Sequence, residues 1–327
     1  MRIAWISFLD MNAFSGGGEL GQRELIDIGR ARGHTIVEAA FLRGRLQRTL
    51  RRTLRHSSLH IDWNADMFVL ANIRNCPQLR VRFPQRLIDK ILATGRVALV
   101  EDAWVDTCEL DMPCGGDASR CPEACDRTWS NELFARVQMA IFLSPMQQRM
   151  VNSVLNAPPP RFQLVRRPYI DVTRFTQCDF QRDIDVLYVG VINEAKGYHN
   201  LIERFGPDRV TFVGRNCMNG PIAGTYLGEM PYKELPTIYN RARTFAHLPQ
   251  WYEPMGRTVI EAALCGCDIV TNERVGATSF PRPDWTDPEV IRRNGERFWI
   301  EFERAVQELR KDTVTGRESL TTTPAER

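Results

Sequence analysis

Hydrophobic and polar positions along the chain alternate between two rhythms. Short apolar runs at 2–7, 35–41, 67–72, 96–101 and 139–143 are separated by stretches at 19–32, 84–93 and 145–155 in which apolar residues recur every three or four positions. The runs read as strands, and the three-to-four spacing reads as amphipathic helices. Strict alternation of the two predicts an α/β fold with a doubly wound parallel sheet. Ala157-Pro158-Pro159-Pro160 breaks the rhythm, a strand-like run follows at 162–165, and a domain boundary is expected around 156–175. The alternation then resumes, with strands expected at 185–190, 210–213, 243–247 and 268–271 and helices at 197–204, 232–241 and 256–265. Residues 287–310 predict a long helix with Val290, Ile291, Phe298, Trp299, Phe302 and Val306 near one stripe. The expected organisation is a first Rossmann-like domain over 1–165, a second over 166–285, a C-terminal helix over 286–310 and a polar, disordered tail over 311–327. In such domains the loops at one edge of the sheet carry the ligands.

Composition narrows the class only a little. With 327 residues, 43% hydrophobic and 25% charged, the chain suits a soluble two-domain protein. A net charge of +3 excludes a generic polyanion binder, although twelve arginines face only three acids between Arg30 and Arg86. The N-terminus runs straight into a strand-like segment and predicts no signal peptide. No apolar run reaches the ~20 residues that span a bilayer. A cytoplasmic, reducing location is expected, where nine cysteines favour buried thiols or metal ligation over disulfides.

The most informative segment is Trp251-Tyr252-Glu253-Pro254-Met255-Gly256-Arg257-Thr258-Val259-Ile260-Glu261-Ala262-Ala263. Glu253 is expected where a loop meets a helix, with Pro254 at the first helical position. Gly256 admits a ligand close to the first turn, whose free N–H groups favour an anion. Glu261 shares a helix face with Arg257 and Thr258. The apolar neighbours of Glu261 predict a buried helix, so its carboxylate needs a partner, and a ligand is the simplest one. Two carboxylates flanking an anion site suit a nucleotide sugar.

This segment resembles the E-x7-E signature of retaining glycosyltransferases of the GT-B fold, those similar to family 4. Val186-Leu187-Tyr188-Val189-Gly190 with Lys196-Gly197, Phe212-Val213-Gly214, Tyr226-Leu227-Gly228, Leu235-Pro236-Thr237-Ile238-Tyr239 and Gly266-Cys267-Asp268-Ile269-Val270-Thr271-Asn272 follow in that family's order. Gly16-Gly17-Gly18-Glu19 is similar to its glycine loop. The resemblance is dense over about 183–280 and thin over 20–160. It implies two Rossmann-like domains facing a cleft and a late helix crossing back to the first. It also implies a UDP- or GDP-sugar donor held by Gly16, Gly17, Gly18, Lys196, Gly228, Glu253, Met255, Gly256, Arg257, Thr258 and Glu261. In such enzymes the leaving phosphate takes the acceptor proton, and no catalytic metal is expected. Asp102, Lys196 and Glu253 are the implied catalytic groups, with Lys196 offsetting charge on the departing diphosphate. Two positions depart from the pattern. Val191 stands where the family has an arginine after the strand glycine, so Arg215 or Arg257 is a candidate substitute. Glu101-Asp102 stands where many relatives have His-Asp, and the bland role for Asp102 is a helix cap.

Cys108, Cys114, Cys121 and Cys125 form a C-x5-C-x6-C-x3-C cluster in a loop poor in apolar residues. A structural zinc or iron–sulfur cluster would explain how that loop folds; two disulfides or unlinked thiols are the alternatives. Cys76, Cys178, Cys217, Cys265 and Cys267 read as small buried side chains. Residues 44–56 predict a helix with Leu46, Leu50 and Leu54 on one side and Arg45, Arg48, Arg51, Arg52 and Arg55 on the other. It is a solvated face, a grip on nucleic-acid phosphates, or a surface for anionic lipid. The compact length and basic first domain favour a hydroxymethylated base in DNA as acceptor, by analogy with phage-type DNA glucosyltransferases of this fold. A saccharide, lipid-linked or small-molecule acceptor is the alternative, and a non-catalytic nucleotide-sugar or nucleic-acid binding module is the reading from another class. Oligomeric state has no signature in the chain.

Overall fold

The computed structural model describes residues 1–9, 16–42, 61–73, 83–104, 106–108, 112–122 and 125–318. Six parallel strands form the first sheet: β1 (Arg2–Leu9), β2 (Thr35–Leu42), β3 (Met67–Ala71), β4 (Val97–Glu101), β5 (Met139–Phe142) and β6 (Phe162–Val165), in the order β2-β1-β3-β4-β5-β6. β3, β4 and β5 are buried along their whole length. They are apolar, apart from Glu101 at the end of β4, because helices cover both faces, which is why they appear in the sequence as continuous runs. The helices are α1 (Gly17–Ala31), α2 (Gln85–Leu92), α3 (Thr128–Arg136) and α4 (Pro145–Val154). Ser144 caps α4 by accepting from the Gln147 N–H at 3.1 Å, and Pro145 opens it.

The second sheet has β7 (Ile184–Val189), β8 (Val210–Val213), β9 (Thr225–Tyr226), β10 (Ala242–His247) and β11 (Asp268–Thr271), all parallel, in the order β11-β10-β7-β8-β9. Its helices are α5 (Tyr198–Phe205), α6 (Leu235–Arg241), α7 (Arg257–Leu264) and the short α8 (Pro283–Thr286). The chain therefore has the two doubly wound parallel-sheet domains that the resemblance implied. The α3 helix and the two-residue β9 were not expected from the hydrophobic pattern, and α6 begins after a 3-10 turn at Tyr232–Glu234. The arginine-rich segment 44–56 and Cys76 lie outside the described residues.

The final helix, α9, spans Pro288–Glu318, so the polar tail expected from 311 is helical as far as 318. Ile291 packs in the core of the second domain. Phe298, Trp299, Phe302, Ala305 and Val306 pack in the first, against Ile3, Trp5, Leu25 and Ile26. The indole N–H of Trp299 donates to the Leu25 carbonyl at 2.8 Å. Trp299→Phe removes that bond and part of a fully buried ring, and should cost about 1–3 kcal/mol in urea unfolding. Two further bonds tie the domains together: the Trp104 indole N–H donates to the Tyr252 carbonyl at 2.8 Å, and the Met146 N–H to Ser279 Oγ at 3.1 Å. The C-terminal ends of the central strands of both sheets face the cleft so formed.

Candidate active site in the interdomain cleft

Two compartments of about 610 and 630 Å³ share Gly17, Lys196, Glu253, Gly256 and Arg257 in their linings. The first also has Gly18, Glu19, Asn72, Asp102, Trp104, Arg166, Tyr169, Trp251, Tyr252 and Met255 in its wall. Gly16, Gly190, Val191, Gly214, Arg215, Glu229, Met230, Tyr232, His247, Thr258 and Glu261 line the second. The cleft thus gathers every residue expected at the donor site except Gly228. That glycine gives its carbonyl to the Gly214 N–H at 2.8 Å and so fixes the loop that carries Glu229 and Met230 to the wall.

Lys196 and Glu253 meet where the compartments join. Their side chains form an ion pair, and His247 Nε2 lies 3.8 Å from the same Glu253 oxygen. Burial alone would raise the Glu253 carboxyl, but the Lys196 ammonium and the His247 ring hold it far below the usual carboxylate range. Lys196 reaches this point because Gly197 turns the chain at φ 86°, where a Cβ would lie 1.9 Å from the Leu248 carbonyl oxygen.

α7 begins at Arg257, so Pro254 precedes the helix instead of opening it. Gly256, at φ 82°, sits before the first turn and makes the entry that proline was expected to make. Glu261 is 1% exposed and points into the cleft side of the helix. It accepts from Tyr232 Oη at 2.9 Å, Tyr239 Oη at 3.2 Å and Arg257 Nε at 2.9 Å. Burial pushes its carboxyl up while Arg257 and Tyr232 pull it back. Three protein donors therefore satisfy the carboxylate, and its burial does not require a ligand. Arg257 also forms a bidentate bridge to Glu24 of α1, with both N···O distances 2.7 Å, and so links the two domains. With its donors committed in this way, Arg257 is a structural clamp beside the site, not a free substitute for the missing arginine at Val191. Arg215 lines the second compartment.

In the first domain, Asp102 is 7% exposed at the end of β4. Its Oδ2 accepts from Gln22 Nε2 at 2.9 Å and Asn72 Nδ2 at 3.3 Å, and Gln22 in turn accepts from the Trp5 indole at 3.0 Å. The other oxygen, Oδ1, is buried with no partner among the described residues. Among the described residues no backbone N–H at a helix start donates to it. Its neighbour Glu101, on the opposite side of the strand, is wholly buried and does not line the cleft. Burial, and then the nearby Asp106, raise its carboxyl well above the usual range, so it does not replace the family histidine as a group facing the ligand.

The cysteine loop departs from expectation. Among the described residues no group of three or more His, Cys, Asp or Glu side chains is arranged to hold a metal, and Cys108, Cys114, Cys121 and Cys125 are all unlinked. Cys108, Met112 and Cys114 are buried in the first domain's core, with Cys121 and Cys125 packed on its edge. The loop folds by inserting these small side chains into an existing core, a source of stability that Cys spacing does not encode. Burial, and then the neighbouring Cys114, push the Cys121 thiol up to about 12.

Arg166, Tyr232, His247, Glu24 and Gln22 were not singled out by the sequence, and Tyr239 stood in a quoted motif without a role.

Comparison with known proteins agrees with this fold. Residues 223–310 match the family model described as glycosyl transferases group 1. Over 56 residues the chain is 41% identical to the O-antigen chain mannosyltransferase B of Escherichia coli, a match that spans 17% of this chain and 14% of that protein. Sucrose-phosphate synthase from Thermosynechococcus elongatus has a similar structure, with TM-score 0.60 and 15% identity over 98% of this chain and 100% of that one. HepE from Anabaena, in complex with UDP and glucose, gives TM-score 0.51 and 13% identity over 98% and 100%. An α-glucosyltransferase in complex with UDP and a 13-mer DNA gives TM-score 0.51 and 13% identity over 96% and 92%. Among the described residues no helix is long and apolar enough to cross a membrane. The chain has the GT-B glycosyltransferase fold and, over residues 223–310, matches glycosyl transferases group 1.

Proposed function

We propose that the protein is a retaining glycosyltransferase that moves a sugar from a nucleotide-sugar donor to a hydroxyl of a saccharide acceptor. The observation that carries this reading is the Lys196–Glu253 pair at the junction of two compartments, with Glu261 further along one of them. The nucleotide occupies the second compartment, near Thr258, Arg215 and the α7 start, and its ribose approaches the Glu261 end. The transferred sugar lies at the junction against Glu253, and the acceptor enters through the first compartment. The bond from the anomeric carbon to the diphosphate breaks, the acceptor oxygen bonds to that carbon on the same face, and the leaving phosphate takes the acceptor proton. Lys196 balances the charge that develops on the phosphate. The UDP held by HepE in the same fold supports a uridine nucleotide over a guanosine one.

A saccharide fits the first compartment better than DNA does. Tyr169, Trp251 and Tyr252 offer aromatic faces, and Trp251 is 50% exposed. Lys196 and Arg257 are paired with Glu253 and Glu24, and Glu19 and Asp102 lie in the wall beside Arg166, so this wall offers a polyanion little net attraction. The DNA reading keeps the support of the DNA-bound α-glucosyltransferase, and of Arg45, Arg48, Arg51, Arg52 and Arg55, which lie outside the described residues. Nucleotide release from UDP- and GDP-sugars, measured with saccharides and with hydroxymethylcytosine DNA, separates the two. Saccharide-dependent release is expected. Release that requires DNA overturns the acceptor, and nucleotide binding without turnover in any mixture leaves a binding module.

A further inference from the structure

We propose that Asp102 and Arg166 together form a seat for the acceptor's hydroxyl groups, and that the acceptor carries no anionic group there. Arg166 follows β6 and reaches the first compartment with only 8% of its surface exposed. Its Nη1 is buried and has no hydrogen-bond partner among the described residues, just as Asp102 Oδ1 has none. An unanswered donor and an unanswered acceptor in one wall call for a group that both accepts and donates, and a hydroxyl does both. One hydroxyl, or a vicinal pair, gives its proton to Asp102 Oδ1 and takes the Arg166 N–H on oxygen.

The helix beneath this wall is shaped for the two side chains. A Cβ on Gly18 would lie 2.2 Å from Asp102 Oδ2, and one on Gly21 would lie 2.6 Å from Arg166 Nη2. The two glycines are three residues apart and so share a face of α1, and Gln22 on the same helix holds Asp102 by its other oxygen. One helix thus clears space for both charged groups and orients one of them. Because the pair carries one positive and one negative charge, it suits a neutral polyol. A phosphate would meet Asp102, and an ammonium would meet Arg166.

The inference rests on the transferase reading, and the experiment separates the two. Calorimetry with UDP and GDP tests the donor site of the full chain. Saturation-transfer NMR with the methyl glycosides of mannose, glucose and galactose, in the presence of the nucleotide that binds, tests the seat. At least one glycoside is expected to bind the wild type and to lose about tenfold to a hundredfold in affinity in Arg166→Met. Gly21→Ala, which crowds the guanidinium without removing it, should weaken the same glycoside while nucleotide affinity holds in both variants. Glycoside affinity unchanged in both variants overturns the seat, as does a wild type that binds nucleotide but no glycoside. Tighter binding of a glycoside 6-phosphate than of its parent overturns the neutral character. A wild type that binds neither nucleotide removes the transferase reading beneath it.

Discussion

Arg257→Met is expected to lower the free energy of unfolding by about 3–5 kcal/mol, measured by guanidinium or urea denaturation. The guanidinium holds a wholly buried carboxylate, Glu261, and bridges to Glu24 in the other domain. Removing it leaves Glu261 with two tyrosine hydroxyls and no countercharge, and breaking a buried pair from one side costs more than the pair contributes intact. Glu24→Gln cuts only the bridge and should cost less, about 1.5–3 kcal/mol. If both variants unfold at the same denaturant concentration as the wild type, the clamp has no energetic role. Nucleotide affinity should fall with Arg257→Met as well, because Glu261 and Thr258 share the first turns of the helix it anchors.

Lys196→Met should reduce kcat by about two to three orders of magnitude, the usual loss when a preorganised group facing a developing negative charge is removed. Stability should change little, since the Lys196 side chain is 38% exposed and a partly solvated ion pair contributes modestly. The donor KM is expected to move less than kcat, because the charge that Lys196 opposes grows as the bond to the diphosphate breaks. A single-turnover rate within about threefold of the wild type would remove Lys196 from the mechanism.

The parts of this fold that a reader of the sequence can recover are those written locally. β3 to β5 announce themselves as apolar runs because they are buried on both faces, and α9 shows its stripe because Phe298, Trp299 and Phe302 recur at helical spacing. The cleft lining was legible for the same reason: Glu253, Gly256, Arg257 and Glu261 lie within one turn-and-helix segment, and Lys196 in another. α3 escaped because Ser130, Leu133 and Phe134 make a narrow apolar face after a Pro- and Cys-rich loop. The partners of Glu261 escaped because Tyr232 and Tyr239 come from another element. A buried carboxylate was correctly inferred, but sequence gave no means to choose between a ligand and two tyrosines. Asp102 could be singled out from its place after an apolar run and Arg166 could not, since their shared place in the first compartment depends on β4, β6 and α1 meeting at one sheet edge. The cysteine cluster could not be assigned from sequence because spacing reports how near thiols are along the chain and not whether they are arranged to hold a metal.

The return of α9 to the first domain has a consequence for biogenesis. One face of the first sheet, around Ile3, Trp5, Leu25 and Ile36, is completed by Trp299 and Phe302. Vectorial synthesis delivers those aromatic rings roughly 7 to 27 seconds after β6, at ordinary elongation rates. For that interval the nascent first domain carries an uncovered apolar layer, and it becomes a finished unit only when the end of α9 has left the ribosome. A holdase chaperone should therefore engage released chains truncated before 298 and let go of those that extend beyond 306.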